Sequence, residues 1–236
     1  MRIAIAIPIY LKGKGEQPAY DKCIEHYSRM GYPVVVCGSE GRISSRFTSY
    51  HASNTVSYKE VPQMHGTIAS AGDESLRNKF NDSLAALPDS DWYCLVGADD
   101  FVPKSVFEQL ENLNPNEVIM AGVRNGQPLM VYNLLTDESM NVTLSYKVDL
   151  LPGVNIFSKA AMQAVKGRPY QLKGCETGAE KLFADIGKVV GLDGYVVMLK
   201  YKDELNTYHK IKRVHHNVPL TKQQLNQVYE CIKVRD

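Results

Sequence analysis

Trp92-Tyr93-Cys94-Leu95-Val96-Gly97-Ala98-Asp99-Asp100 is the stretch that decides the fold. Its first five residues are aromatic or apolar on both faces, the pattern of a strand covered from both sides. Gly97 ends the run, and two adjacent carboxylates follow it. Upstream, residues 2–9, 32–37 and 55–61 read as further strands, with Val34, Val35 and Val36 the β-branched heart of the second. Residues 17–30 read as a helix and 43–51 as a short one. Leu76, Phe80, Leu84 and Leu87 give 73–87 helical spacing, with Gly72 before it and acids in its first turn. Buried strands alternating with helices imply an α/β fold: a Rossmann-like, mostly parallel central sheet with helices on both faces.

Downstream the pattern changes. Residues 117–123 and 129–135 read as strands around Asn125-Gly126, a hairpin signal. Residues 142–148 and 195–201 read as strands, 159–165 and 176–190 as helices, and Pro219 opens a last helix over 221–233. The expected layout is a nucleotide-binding half over 1–106 and a mixed, acceptor-side half over 107–201, together one catalytic domain. A C-terminal extension over 202–236 would pack on it.

Composition sets outer bounds. The chain has 236 residues, 44% hydrophobic and 22% charged, which suits one globular α/β domain. A formal net charge of +1 favours neither nucleic acid nor membrane as a bulk partner. The cysteines (23, 37, 94, 175 and 231) are odd in number and form no C-x-x-C pair, so neither a disulfide framework nor a structural zinc site is expected. A reducing cytoplasm is the expected location. The apolar run over 3–9 is too short for a membrane span, and no other segment approaches that length. There is no G-x-G-x-x-G, Walker pattern or serine elbow.

In open parallel sheets, ligands bind beyond the carboxyl ends of the strands, where Asp99 and Asp100 fall. Two neighbouring carboxylates repel unless a cation lies beside them. Mn²⁺ or Mg²⁺ suits such oxygen ligands and commonly bridges to a phosphate. The competing explanation is a solvated turn, or a cap on the helix that begins near Pro103.

Taken in order, Ile7-Pro8-Ile9-Tyr10, Gly38-Ser39-Glu40-Gly41, Leu76-Arg77-Asn78-Lys79-Phe80-Asn81 and Gly97-Ala98-Asp99-Asp100 resemble the GT-A nucleotide-sugar glycosyltransferases. The resemblance is to family-2-type enzymes, especially the small bacteriophage-encoded ones, and covers about residues 2–106. It implies a hexosyl- or pentosyltransferase that takes a nucleotide-diphosphate-sugar donor. The donor would be held by Pro8, Tyr10, Glu40, Arg77, Lys79 and Asp99. It places the metal, Mn²⁺ or Mg²⁺, on Asp99 and Asp100, with His209 as a late ligand from the basic stretch His209 to His216. The first acid of the family's D-x-D motif is Gly97 here. Gly153 to Lys159 resembles the acceptor-side strand. Gly178-Ala179-Glu180, on a helix running to Gly191, resembles the catalytic-base motif, which makes Glu180 the base and Glu176 its rival, against a purely structural helix-start role. The phage resemblance adds a modified DNA base as one acceptor and a host cytoplasm as the location. The alternatives are a sugar-nucleotide nucleotidyltransferase and a non-catalytic nucleotide-sugar-binding protein, the latter suggested by Gly97 and Ala179 standing where the family has acids.

Overall fold

The structure, a computed structural model, describes residues 1–9, 17–38, 55–61, 74–144, 149–172, 176–200 and 214–232. Tyr10, Glu40, His209, the expected helix over 43–51 and the end of the expected strand over 142–148 lie outside them.

The chain forms β1 (Ile3–Pro8), α1 (Gln17–Ser28), β2 (Val34–Gly38), β3 (Val56–Glu60), α2 (Glu74–Ala85) and β4 (Trp92–Val96). These follow the strand–helix alternation read from the sequence to within a few residues. Beyond the acidic pair come β5 (Asp100–Phe101), α3 (Lys104–Glu108), β6 (Val118–Val123), β7 (Leu129–Asn133), β8 (Ser139–Leu144), β9 (Val154–Ser158) and α4 (Lys159–Ala164). The chain continues through α5 (Glu176–Ala184), β10 (Lys188–Leu192), β11 (Val196–Lys200), β12 (Val214–Val218) and α6 (Lys222–Ile232).

A seven-stranded sheet has the order β10-β6-β9-β4-β1-β2-β3. β1 pairs in parallel with β2 and β4, and β2 with β3. β9 is antiparallel to both its neighbours, β4 and β6. The central strands are buried along their length, and Trp92 and Phe157 are wholly inside. Burying one such side chain contributes about 1.5–3 kcal/mol, so the continuous apolar runs anchor the sheet.

Two expectations need correction. Asn125-Gly126 does make a turn, with Gly126 at φ 95° and its amide donating to Asn125 Oδ1 at 2.9 Å. No hairpin results, because β6 continues the seven-stranded sheet while β7 joins a second sheet of order β12-β8-β7-β11-β5. β7 finds its antiparallel partner in β8 instead. The helix expected over 176–190 stops at Ala184, and Lys188–Leu192 is an edge strand parallel to β6. Gly187 and the β-branched pair Val189-Val190 favour the strand, and a parallel partner was waiting for it. The stretch expected as a strand over 142–148 pairs over Ser139–Leu144.

α6 begins with a reciprocal cap. The Gln224 amide donates to Thr221 Oγ1 at 3.3 Å, while the Thr221 amide donates to Gln224 Oε1 at 2.9 Å. This helix packs on α1 and β7. Among the described residues no helix is long and apolar enough to cross a membrane.

Candidate functional site

β1 and β4 lie side by side, with β2 and β3 continuing away from β1 on its other side. The order therefore reverses between β1 and β4, and in open α/β sheets the carboxyl edge at such a point is where ligands bind. Pro8 helps end the pairing of these two strands. The amides of Ile5 and Ile9 donate toward β2, so alternate residues, Pro8 included, face β4. Pro8 has no N–H to offer, and the β1–β4 pairing ends at Ala6 and Leu95.

The acidic turn follows β4 at this edge. The Asp100 amide donates to the Gly97 carbonyl at 3.1 Å, closing the turn, and the Gly97 amide donates to the Gly153 carbonyl at 3.0 Å. α1 grips the same segment from within the core: Tyr27 Oη donates to the Asp100 carbonyl at 3.0 Å, and His26 Nε2 lies 2.7 Å from the Val102 carbonyl. Cys23 Sγ reaches the Gly97 carbonyl at 3.5 Å. Burial, then the charges of Asp100 and Asp99, push the Cys23 thiol well above its ordinary range, so it stays neutral. Burial likewise holds the His26 imidazole below its usual value.

The two carboxylates have different surroundings. Asp100 is buried and lies between two glycines. A Cβ on Gly153, which has φ 102°, would stand 2.9 Å from Asp100 Cγ, and one on Gly97 would stand 2.8 Å from it. Gly97 is thus where it is because the neighbouring carboxylate fills its side-chain space. Asp99 is partly buried and meets Lys200, whose ammonium donates to Asp99 Oδ2 at 3.0 Å. The backbone sets this pair: the Leu199 amide donates to the Asp99 carbonyl at 2.7 Å, and Met198 pairs with Asp100 across β11 and β5. Lys200 was read from the sequence only as part of a late strand. The one available signal is a cation closing the otherwise apolar run Val196-Val197-Met198-Leu199.

Other expected residues take separate places. Lys79 is buried on α2 and its ammonium binds the Ile9 carbonyl, at the end of β1. Arg77 is half-buried on the same helix, two residues from Lys79 and so on a different face. Asn81, also on α2, is buried and brackets Tyr170: its amide donates to the Tyr170 carbonyl at 3.2 Å and its oxygen accepts from the Tyr170 amide at 3.0 Å. Glu180 lies inside α5, not at its first turn, so the helix-start explanation does not apply to it. Its Oε1 accepts from the Asp149 amide at 2.8 Å and its Oε2 from the Leu150 amide at 3.3 Å. That clamp holds the segment leading to Gly153, and so couples α5 to the acidic turn. Glu176 starts α5, and its side chain lies outside the described atoms.

The donor set does not complete a divalent site among the described residues: no group of three His, Cys, Asp or Glu side chains is gathered there. Asp100 is packed between the glycines and Asp99 carries the Lys200 ammonium. His209, the third expected ligand, is outside the described residues.

With this geometry, the chain superposes on Staphylococcus aureus TarS 1-349 with TM-score 0.53, at 12% identity, over 84% of this chain and 60% of that one. The fold is of GT-A type. TarS 1-349 in complex with UDP-GlcNAc matches with TM-score 0.52 at 11% identity, over 86% of this chain and 60% of that one. The chain thus spans 60% of the length of these TarS structures. Rv0371c of Mycobacterium tuberculosis H37Rv, in complex with manganese, matches with TM-score 0.50 at 10% identity, over 89% of this chain and 97% of that one. No family model matches the chain, and no curated protein matches it in sequence.

Proposed function

We propose that the protein is a glycosyltransferase that moves a sugar from a nucleotide-diphosphate-sugar to an acceptor hydroxyl. The observation that carries this reading is the acidic turn Gly97 to Asp100, held at the carboxyl edge of a GT-A-type sheet next to the point where the strand order reverses between β1 and β4. The UDP-GlcNAc bound by TarS supports a nucleotide-sugar as the donor class. Pro8 ends β1 and Lys79 binds the Ile9 carbonyl beside it; we assign these two, with Arg77, Tyr10 and Glu40, to the nucleoside side.

In the proposed reaction the acceptor oxygen forms a bond to the anomeric carbon. The bond from that carbon to the diphosphate oxygen breaks, and its electron pair leaves with the diphosphate. The acceptor proton passes to a carboxylate, which we assign to Glu180 with Glu176 as the alternative. The amides of Asp149 and Leu150 fix the orientation of the Glu180 carboxylate. Manganese in Rv0371c supports testing Mn²⁺ and Mg²⁺, with Asp99, Asp100 and His209 as the expected ligands. The described donor set does not complete such a site, so no step is routed through it. A hydroxyl-bearing modified DNA base is one acceptor to test, alongside sugars and glycans. Near neutrality, a chain of net charge +1 would bind DNA with little help from counterion release.

A second reading, a binding protein without turnover, is favoured by Gly97 and by the two amides already bound to Glu180. One assay separates the two. The protein is incubated with UDP-, GDP-, ADP-, CMP- and dTDP-sugars, with and without Mn²⁺, and free nucleotide is measured. Release from one donor is expected. A donor that binds without release would establish the second reading, and no binding by any donor would overturn both.

A further inference from the structure

We infer that Lys200 is a ligand of the donor's diphosphate and that Asp99 is the group that holds it in place. The inference rests on the nucleotide-sugar reading above and names a residue that reading did not require.

Both side chains are positioned by backbone pairing. β11 is parallel to β7 over Val196 to Lys200 and antiparallel to β5 at Val197 and Met198. The Leu199 amide donates to the Asp99 carbonyl. The Lys200 ammonium therefore arrives at the acidic turn by register, and its 3.0 Å contact with Asp99 Oδ2 follows. The pair is largely covered, with side-chain exposures of 18% for Lys200 and 28% for Asp99. Shielding of this degree leaves an ammonium less screened and a stronger partner for an anion.

The position matches the task. The turn lies at the carboxyl edge where the sheet order reverses, the place where a donor's diphosphate is expected. Asp100 is packed against Gly97 and Gly153, so the two acids do not act as a symmetric pair toward a cation. A fixed positive charge beside Asp99 offsets charge on the departing diphosphate without any proton transfer. Asp99 then has a positioning role: it orients Lys200 and limits how strongly the diphosphate is held.

The two roles for Asp99 make opposite predictions. If Asp99 binds the diphosphate through a metal, neutralising it weakens nucleotide binding. If it restrains Lys200, removing its charge leaves binding equal or tighter, because one anion is withdrawn from beside another.

The test is calorimetric titration of UDP, GDP, ADP, CDP and dTDP into the full chain in EDTA and again in Mn²⁺. It is run on wild type, Lys200→Gln, Lys200→Arg and Asp99→Asn, each checked by thermal unfolding. The expected result is that one nucleoside diphosphate binds wild type in EDTA. Lys200→Gln weakens it about ten- to a hundredfold, Lys200→Arg keeps most of the affinity, and Asp99→Asn binds as well or better. Unchanged binding in Lys200→Gln, or binding that needs Mn²⁺ and disappears in Asp99→Asn, overturns the inference and leaves the glycosyltransferase reading standing. If no nucleoside diphosphate binds wild type in either buffer, that reading fails and the inference falls with it. Should Lys200→Gln not fold, Lys200→Arg and Asp99→Asn still decide the sign.

Discussion

The carboxylate of Asp100 occupies the space in which a side chain on Gly97 would stand, and a Cβ there would lie 2.8 Å from Asp100 Cγ. Gly153 also lies against Asp100, where a Cβ would stand 2.9 Å from Asp100 Cγ. Gly97→Ala is therefore expected to destabilise the protein by about 1–3 kcal/mol, the usual cost of overpacking. Gly97→Asp, which supplies the first acid of a D-x-D pattern, is expected to lower the thermal midpoint further and not to raise Mn²⁺ affinity. Combining Gly97→Ala with Asp100→Gly should recover part of the loss, and urea denaturation of the single and double variants measures that coupling. Additive effects would show that the two positions do not compete for space.

Glu180 has two jobs in the proposed mechanism, and they separate experimentally. As an anchor, it accepts from the amides of Asp149 and Leu150. Glu180→Gln turns one of those acceptors into a donor and is expected to cost about 1–3 kcal/mol. As the base, its loss should lower kcat by about 10²-fold or more, with the donor KM little changed. A fall in stability with kcat intact at a temperature where the variant is folded would assign Glu180 to anchoring and move the base to Glu176.

His26 gives the fold an acid sensitivity. Burial is the main reason its imidazole titrates below the usual value of 6.5; Arg29 adds to the effect, while the carbonyls of Val102 and Cys231 oppose it. Below that usual value the unfolded chain binds a proton that the folded chain resists, so stability falls as pH falls. It is fully present above the unfolded value. Unfolding free energies measured from pH 7.5 to 5.5 should decline less in His26→Gln than in wild type. Parallel curves would exclude His26 as the source.

Asn81 is the brace between α2 and the segment at Tyr170, donating to one backbone group and accepting from the other. Asn81→Ala removes both bonds and is expected to cost about 2–4 kcal/mol. Asn81→Asp keeps only the acceptor and should lose stability as well. A loss under about 0.5 kcal/mol for either, typical of surface substitutions, would mean that water replaces the side chain.

The first half of the fold was legible because its signals are local. The strands at Ile3–Pro8, Val34–Gly38 and Trp92–Val96 are short apolar runs bounded by Gly or Pro, and α2 has its apolar residues at helical spacing. The second half was less so. Val189 and Val190 suit a helix or a strand when read alone, and the parallel partner β6 decided between them. Asn125-Gly126 encodes a turn correctly, yet a turn does not state whether its flanking strands will pair. Here they join different sheets.

The sequence by itself determined that a buried strand ends in Gly97-Ala98-Asp99-Asp100 and therefore carries two acids to the edge of a parallel sheet. Local apolar patterning is enough for that, since it sets which residues must leave water. Only the tertiary structure decided what the acids do there. Asp100 is enclosed by Gly97 and Gly153, and Asp99 meets Lys200 from 101 residues away. Such contacts depend on the register of β11 against β5 and on where the chain crosses from one sheet to the other. Neither is written in the neighbourhood of the residues concerned.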